Sequence, residues 1–153
     1  MASKQLIYIT GSVGQTRKLG ALLAKAILAN AAGKSARVLA LSGNLGAGKT
    51  HFAQGFAFGL GIKGTIGSPT FAIMKKYPLG NQGDFKTFYH IDCYRLESGD
   101  DLRPLGIENI LSGPNNIIAI EWPRIAQAIL PKGILKITFE VISENKRRIE
   151  FYG

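Results

Sequence analysis

The hydrophobic pattern changes period several times along the chain, and each change marks an element. Gln5 to Ile9 mixes β-branched, aromatic and polar residues in the manner of a strand. Ser12-Val-Gly-Gln15 then offers a capping box, followed by Leu19, Leu22, Leu23, Ala26 and Ile27 at helical spacing; this predicts an amphipathic helix that ends near Gly33. Arg37 to Ser42 (RVLALS) is a continuous apolar run without alternation, as expected of a strand covered on both faces. His51 to Leu60 returns to helical spacing, with Phe52, Phe56 and Leu60 on one side and Gly59 and Gly61 as stop signals.

In the second half, Phe71 to Tyr77 and Phe85 to Tyr94 read as two strands joined by a turn at Gly80-Asn-Gln-Gly83. Asp100 or Asp101 can cap a short helix reaching Ser112. Asn116 to Ile120 (NIIAI) is a second buried-strand signal, closed by Glu121-Trp122-Pro123 because proline has no N–H to pair. A helix is expected from Arg124 to Leu130, and Gly133 to Val141 and Arg147 to Tyr152 alternate like a hairpin around Ser143-Glu-Asn. Strands alternating with helices imply an α/β three-layer sandwich: a mostly parallel central sheet with antiparallel edge strands. With 153 residues and no repeat or linker, the chain fits a single domain over residues 1–153.

Composition narrows the class. At 46% hydrophobic and 19% charged the chain lies outside the disordered and fibrous classes. Nineteen Lys and Arg against ten Asp and Glu leave a net charge of +9, which attracts RNA or an acidic protein surface, unless the excess is spread over solvated faces. Only Lys146, Arg147 and Arg148 form a tight run. The single Cys93 excludes an internal disulfide and a Cys-based zinc site, and reads as an apolar filler in a reducing compartment. No stretch approaches the roughly 18 apolar residues of a membrane span, and the N-terminal apolar stretch is too short for a signal peptide. A cytoplasmic protein without membrane contact is expected.

The candidate chemistry lies between the RVLALS strand and the following helix, where Gly43 to Thr50 reads GNLGAGKT. G-x-x-x-x-G-K-T wraps backbone N–H groups around phosphate oxygens at a helix N-terminus, whose dipole also favours negative charge. Lys49 reaches the outer phosphates, and the Thr50 hydroxyl is a hard oxygen ligand for Mg²⁺. Such a site also needs a carboxylate near the metal and a group that positions water. Glu121 ends the NIIAI strand and Asp92 ends the FYHI strand, and strand ends in open α/β sheets face the ligand crevice.

Four blocks in order, GNLGAGKT from Gly43, SPTF from Ser68, HIDCYR from His90 and IEW from Ile120, resemble the bacterial TsaE (YjeE) family of tRNA threonylcarbamoyladenosine biosynthesis. The segment Leu105 to Glu108 (LGIE) is also similar to that family. The resemblance implies a P-loop NTPase-like fold that binds and hydrolyses ATP with Mg²⁺. It implies that Leu45, Gly46, Ala47, Gly48, Lys49 and Thr50 hold the nucleotide, that Thr50 and Glu121 are the metal ligands, and that Lys49, Asp92 and Glu121 form the catalytic set. Asp92 looks like the family's essential aspartate, orienting water or the metal's water shell. Ser68 and Thr70 stand where a switch segment would sense the γ-phosphate. His90 and Arg95 flank Asp92 in that switch group, His90 as an orienting hydrogen-bonder and Arg95 as a bidentate holder of phosphate or carboxylate. Trp122 covers the nucleotide, docks a partner or fills core.

The partners implied by the resemblance are TsaB and TsaD, whose threonylcarbamoyl transfer the ATPase drives or resets, with at most an indirect or weak tRNA contact. Two departures accompany it: Asn44 stands where the family usually has Asp, and His51 where it usually has Thr. Two rival readings share the same residues, a small-molecule kinase and a nucleic-acid-binding module in which nucleotide is structural. No Arg-rich lid segment supports the kinase, and no N-K-x-D signature points to guanine.

Overall fold

The apolar run beginning at Arg37 lies inside the sheet because both of its faces are covered. The computed structural model describes residues 4–64, 66–67 and 72–153. Its elements are β1 (Gln5–Thr10), α1 (Val13–Leu28), β2 (Arg37–Gly43), α2 (Lys49–Gly59), β3 (Met74–Gln82), β4 (Phe85–Asp92), α3 (Ile107–Ser112), β5 (Asn116–Glu121), β6 (Leu135–Val141) and β7 (Arg147–Tyr152). The strands form one sheet in the order β1-β7-β6-β2-β5-β4-β3. Strands β6, β2, β5 and β4 run parallel, whereas β3 at one edge and β7 and β1 at the other are antiparallel. The expected parallel centre with antiparallel edges is therefore what forms.

Alternation across the central strands divides the core into two layers. Leu39 and Leu41 of β2 and Ile117 and Ala119 of β5 face Phe52 and Phe56 of α2 and Ala24 of α1. Val38, Ile118 and Ile120 face the opposite side, against Leu102, Ile107 and Ile110. Ser12 caps α1 by accepting from the Gln15 amide at 3.1 Å, but the Gln15 side chain reaches back to the Gly11 amide rather than to Ser12, so the box is shifted by one residue. α1 and α2 touch backbone to backbone. A Cβ built on Gly55 would lie 1.8 Å from the Arg17 carbonyl oxygen, so only glycine fits there.

Several expected boundaries are corrected. α1 ends at Leu28 rather than near Gly33. β3 begins at Met74 and runs through Pro78 to Gln82, so Gly80 to Gln82 belong to a strand rather than to the turn. This is tolerated because β3 is an edge strand, where a proline N–H is not required, and the register shifts between Pro78 and Gln82. The helix expected to be capped by Asp100 or Asp101 is two pieces. Ser98 caps a 3₁₀ turn, Gly99–Leu105, with Asp101 completing the box, and Gly106 at φ 79 separates it from α3. Pro104 inside the first piece limits its hydrogen bonding. The expected Arg124 to Leu130 helix is only a 3₁₀ turn, Pro123–Ala126, confined between Pro123 and Pro131.

Cys93 is fully buried, and burial, with the nearby Asp92 charge, pushes its thiol up to about 12, in keeping with a filler role. The two arginines of the Lys146 to Arg148 run are used internally: Arg147 donates to the carbonyls of Ser143 (2.9 Å), Glu144 (3.1 Å) and Lys146 (3.1 Å), and to that of Gly46 (3.3 Å). Arg148 pairs with Glu150 at 2.6 Å. Among the described residues no helix is long and apolar enough to cross a membrane.

Candidate functional site

β2 ends at Gly43, and the chain turns through Gly46 (φ 78) and Gly48 (φ 102) into the N-terminus of α2. At Gly48 the left-handed backbone would strain any residue with a Cβ. The loop opens onto a cleft of about 340 Å³ lined by Leu45 to His51, Asp92, Tyr94, Glu121 and Trp122. Leu45, Gly46, Ala47, Gly48, Lys49, Thr50, Asp92 and Glu121 are thus brought to one place.

The two carboxylates meet because β4 and β5 are parallel neighbours. Asp92 and Glu121 are register partners at the C-terminal ends of these strands. Glu121 is 3% exposed, and its Oε2 lies 3.0 Å from Nε2 of His90, which is fully buried. Asp92 Oδ1 accepts the Tyr94 amide at 2.9 Å. Lys49 is 6% exposed. Burial pulls the pKa of its ammonium down, while Glu121 and then Asp92 push it back up. Its Nζ donates to the Gly43 carbonyl and sits 3.8 Å from the centre of the Trp122 ring.

Trp122 has φ 57 and ψ 54, and it is the one non-glycine residue with positive φ among those described. That conformation costs on the order of 1 kcal/mol or more, and such outliers cluster at working sites. Trp122 is half-buried, packs tilted against Tyr94 with 5.1 Å between ring centres, and lines one side of the cleft.

A hard-oxygen set of one hydroxyl and two carboxylates fits Mg²⁺, which keeps several waters and takes its remaining ligands from phosphate. Among the described residues there is no group of three or more His, Cys, Asp or Glu that could hold a metal ion by themselves. The other expected residues are placed differently. His90 lies behind Glu121 and outside the cleft lining, its Nδ1 without a hydrogen-bond partner among the described residues. Arg95 is exposed and also outside the lining. Ser68 and Thr70 lie outside the described residues. Sequence reasoning did not single out Tyr94 or Arg147. Only the Tyr two residues after Asp92 in HIDCYR offered a signal, and Arg147 offered none beyond its charge.

The family model described as Threonylcarbamoyl adenosine biosynthesis protein TsaE matches residues 10–149. The chain belongs to the TsaE family. It is 37% identical over 148 residues to the tRNA threonylcarbamoyladenosine biosynthesis protein TsaE of Bacillus subtilis, covering 97% of this chain and 85% of that protein. It is 42% identical over 118 residues to the protein of the same name from Borreliella burgdorferi, covering 76% and 82%. The crystal structure of Bacillus subtilis YdiB superposes with a TM-score of 0.77 at 32% identity, covering all of this chain and 88% of that one. The TsaE resemblance carried by the four sequence blocks and the α/β architecture thus agree.

Proposed function

We propose that this chain is a Mg²⁺-dependent ATPase of tRNA threonylcarbamoyladenosine biosynthesis, acting in the cytoplasm as a partner-coupled switch for a TsaB–TsaD complex. The observation that supports it most is the single cleft in which the glycine-rich loop, Lys49 and Thr50 face both Asp92 and Glu121. In this reading, Leu45 to Thr50 hold the phosphates through backbone N–H groups and the α2 N-terminus. Thr50 and Glu121 would hold Mg²⁺, which when bound would neutralise charge on the outer phosphates. Asp92 would orient the attacking water. Lys49 leaves the Gly43 carbonyl and the Trp122 ring to meet the γ-phosphate. Trp122 and Tyr94 shield that end from bulk water. Ser68 and Thr70 sense the γ-phosphate, and Arg95 serves in the same switch as a bidentate holder of phosphate or carboxylate.

The test is phosphate release from Mg·ATP, alone and with TsaB and TsaD. Slow release alone and strong stimulation by the pair are expected. Release that requires an added metabolite as phosphoryl acceptor would instead establish the small-molecule kinase.

His90 is a positioning residue in this scheme, since it lies outside the cleft lining and its Nε2 hydrogen-bonds the carboxylate of Glu121. His90→Ala is expected to raise the Mg²⁺ concentration for half-maximal turnover about 10-fold to 100-fold, the usual cost of losing a partner behind a ligand. His90→Gln, which keeps a donor, restores most of it. A variant with lower turnover but unchanged Mg²⁺ dependence refutes the role.

A further inference from the structure

The tight contact between α1 and α2 leaves a groove on their outer side that is basic and apolar at once. Its hollow of about 510 Å³ is lined in part by Arg17, Lys18, Leu22, Lys25, Gln54 and Phe58. Leu22 is 54% exposed and Phe58 is 74% exposed. Neither helix contains an Asp or Glu, and none precedes Asp84 anywhere in the sequence. The three cations therefore meet no carboxylate from the helices that carry them. Arg17 is also pre-set: its Nε and Nη2 donate to Gln54 Oε1 at 3.2 and 2.9 Å, while Gln54 Nε2 donates to the Ile66 carbonyl at 3.1 Å. This fixes the guanidinium at the groove without neutralising it.

We propose that the α1–α2 groove docks an acidic amphipathic segment of a partner protein. Its apolar side chains cover Leu22 and Phe58, and its carboxylates meet Arg17, Lys18 and Lys25. An apolar stripe flanked by cations of one sign is the complement of a helix with one apolar and one acidic face. The charges set orientation and encounter rate, and the apolar contacts set the lifetime. A nucleic acid fits less well: Leu22 has no face for a base to stack on, and Phe58 is a single platform where strand binding uses several. The proposal goes beyond the ATPase reading and does not require nucleotide.

The full ¹⁵N-labelled chain, without nucleotide, is titrated with a synthetic amphipathic helix of about 18 residues bearing Glu on one face and Leu and Phe on the other. Amide shifts are expected to concentrate in residues 17–25 and 54–58, the helix segments that carry the side chains lining the groove. Lys25→Glu and Phe58→Ala should each weaken binding about tenfold or more. Both variants should retain the thermal midpoint and the basal phosphate release of the parent, so a folding defect or a failed ATPase reading is told apart from a failed groove. No binding, shifts centred elsewhere, or undiminished affinity in both variants overturns the proposal. So does an oligouridylate of matched charge that shifts the same amides at lower concentration, which would make the groove a nucleic-acid site.

Discussion

Lys49→Ala is expected to lower phosphate release from Mg·ATP about 10²-fold to 10³-fold, the cost of removing one preorganised donor from developing phosphoryl charge. The fold should survive. Lys49 is held in a buried position at an electrostatic cost, since desolvation outweighs the help from Glu121 and Asp92. Removing it leaves Glu121 still hydrogen-bonded to His90. Circular dichroism and the thermal midpoint should therefore stay near the parent values while turnover collapses. Lys49→Arg should not rescue activity, because a larger planar guanidinium cannot take the place of a compact ammonium point charge among the residues that line the cleft. Turnover above about a tenth of the parent rate in Lys49→Ala would remove the lysine from the catalytic set, as that is a smaller loss than one such donor costs.

Gly55→Ala is expected to produce the largest loss of stability of any single methyl addition in the α1–α2 layer. The new Cβ would lie 1.8 Å from the Arg17 carbonyl oxygen, a backbone atom that cannot rotate away. The helices must separate, and Phe52 and Phe56 of α2, both essentially fully buried, must move with them. Overpacking of this kind costs about 3 kcal/mol or more. In a domain of this size that corresponds to a fall of roughly 10 °C in the thermal midpoint. Gly33→Ala is the control: nothing lies within 4 Å of its added Cβ. Equal midpoints for the two variants would show that the helix contact is not tight.

The helix-layer contact illustrates a limit on local pattern. Apolar spacing located α1 and α2 and identified Phe52, Phe56 and Leu60 as the buried side of α2, because periodicity reports which side chains leave water. It gave no reason for Gly55, whose requirement comes from another helix's backbone. Boundaries failed where local signals competed with pairing. Gly80 to Gln82 read as turn residues, yet an edge position absorbs them into β3. The Arg124 to Leu130 segment forms only a 3₁₀ turn, Pro123–Ala126, a difference that its apolar spacing did not signal.

The sequence by itself determined the make-up of the candidate site: a glycine-rich GNLGAGKT loop between a strand covered on both faces and a helix, two strands each ending in a carboxylate, and motif blocks in the order of one family. These are local facts, set by residue type, spacing and burial. Tertiary structure decided how they meet. Strands separated by more than twenty residues become neighbours only when the two layers of side chains pack, and it is that packing which sets Asp92 opposite Glu121. The same packing encloses His90 behind Glu121, holds Trp122 in a left-handed conformation and lays Lys49 across its ring. No spacing rule along the chain encodes those contacts, because each depends on a register between elements that are distant in sequence.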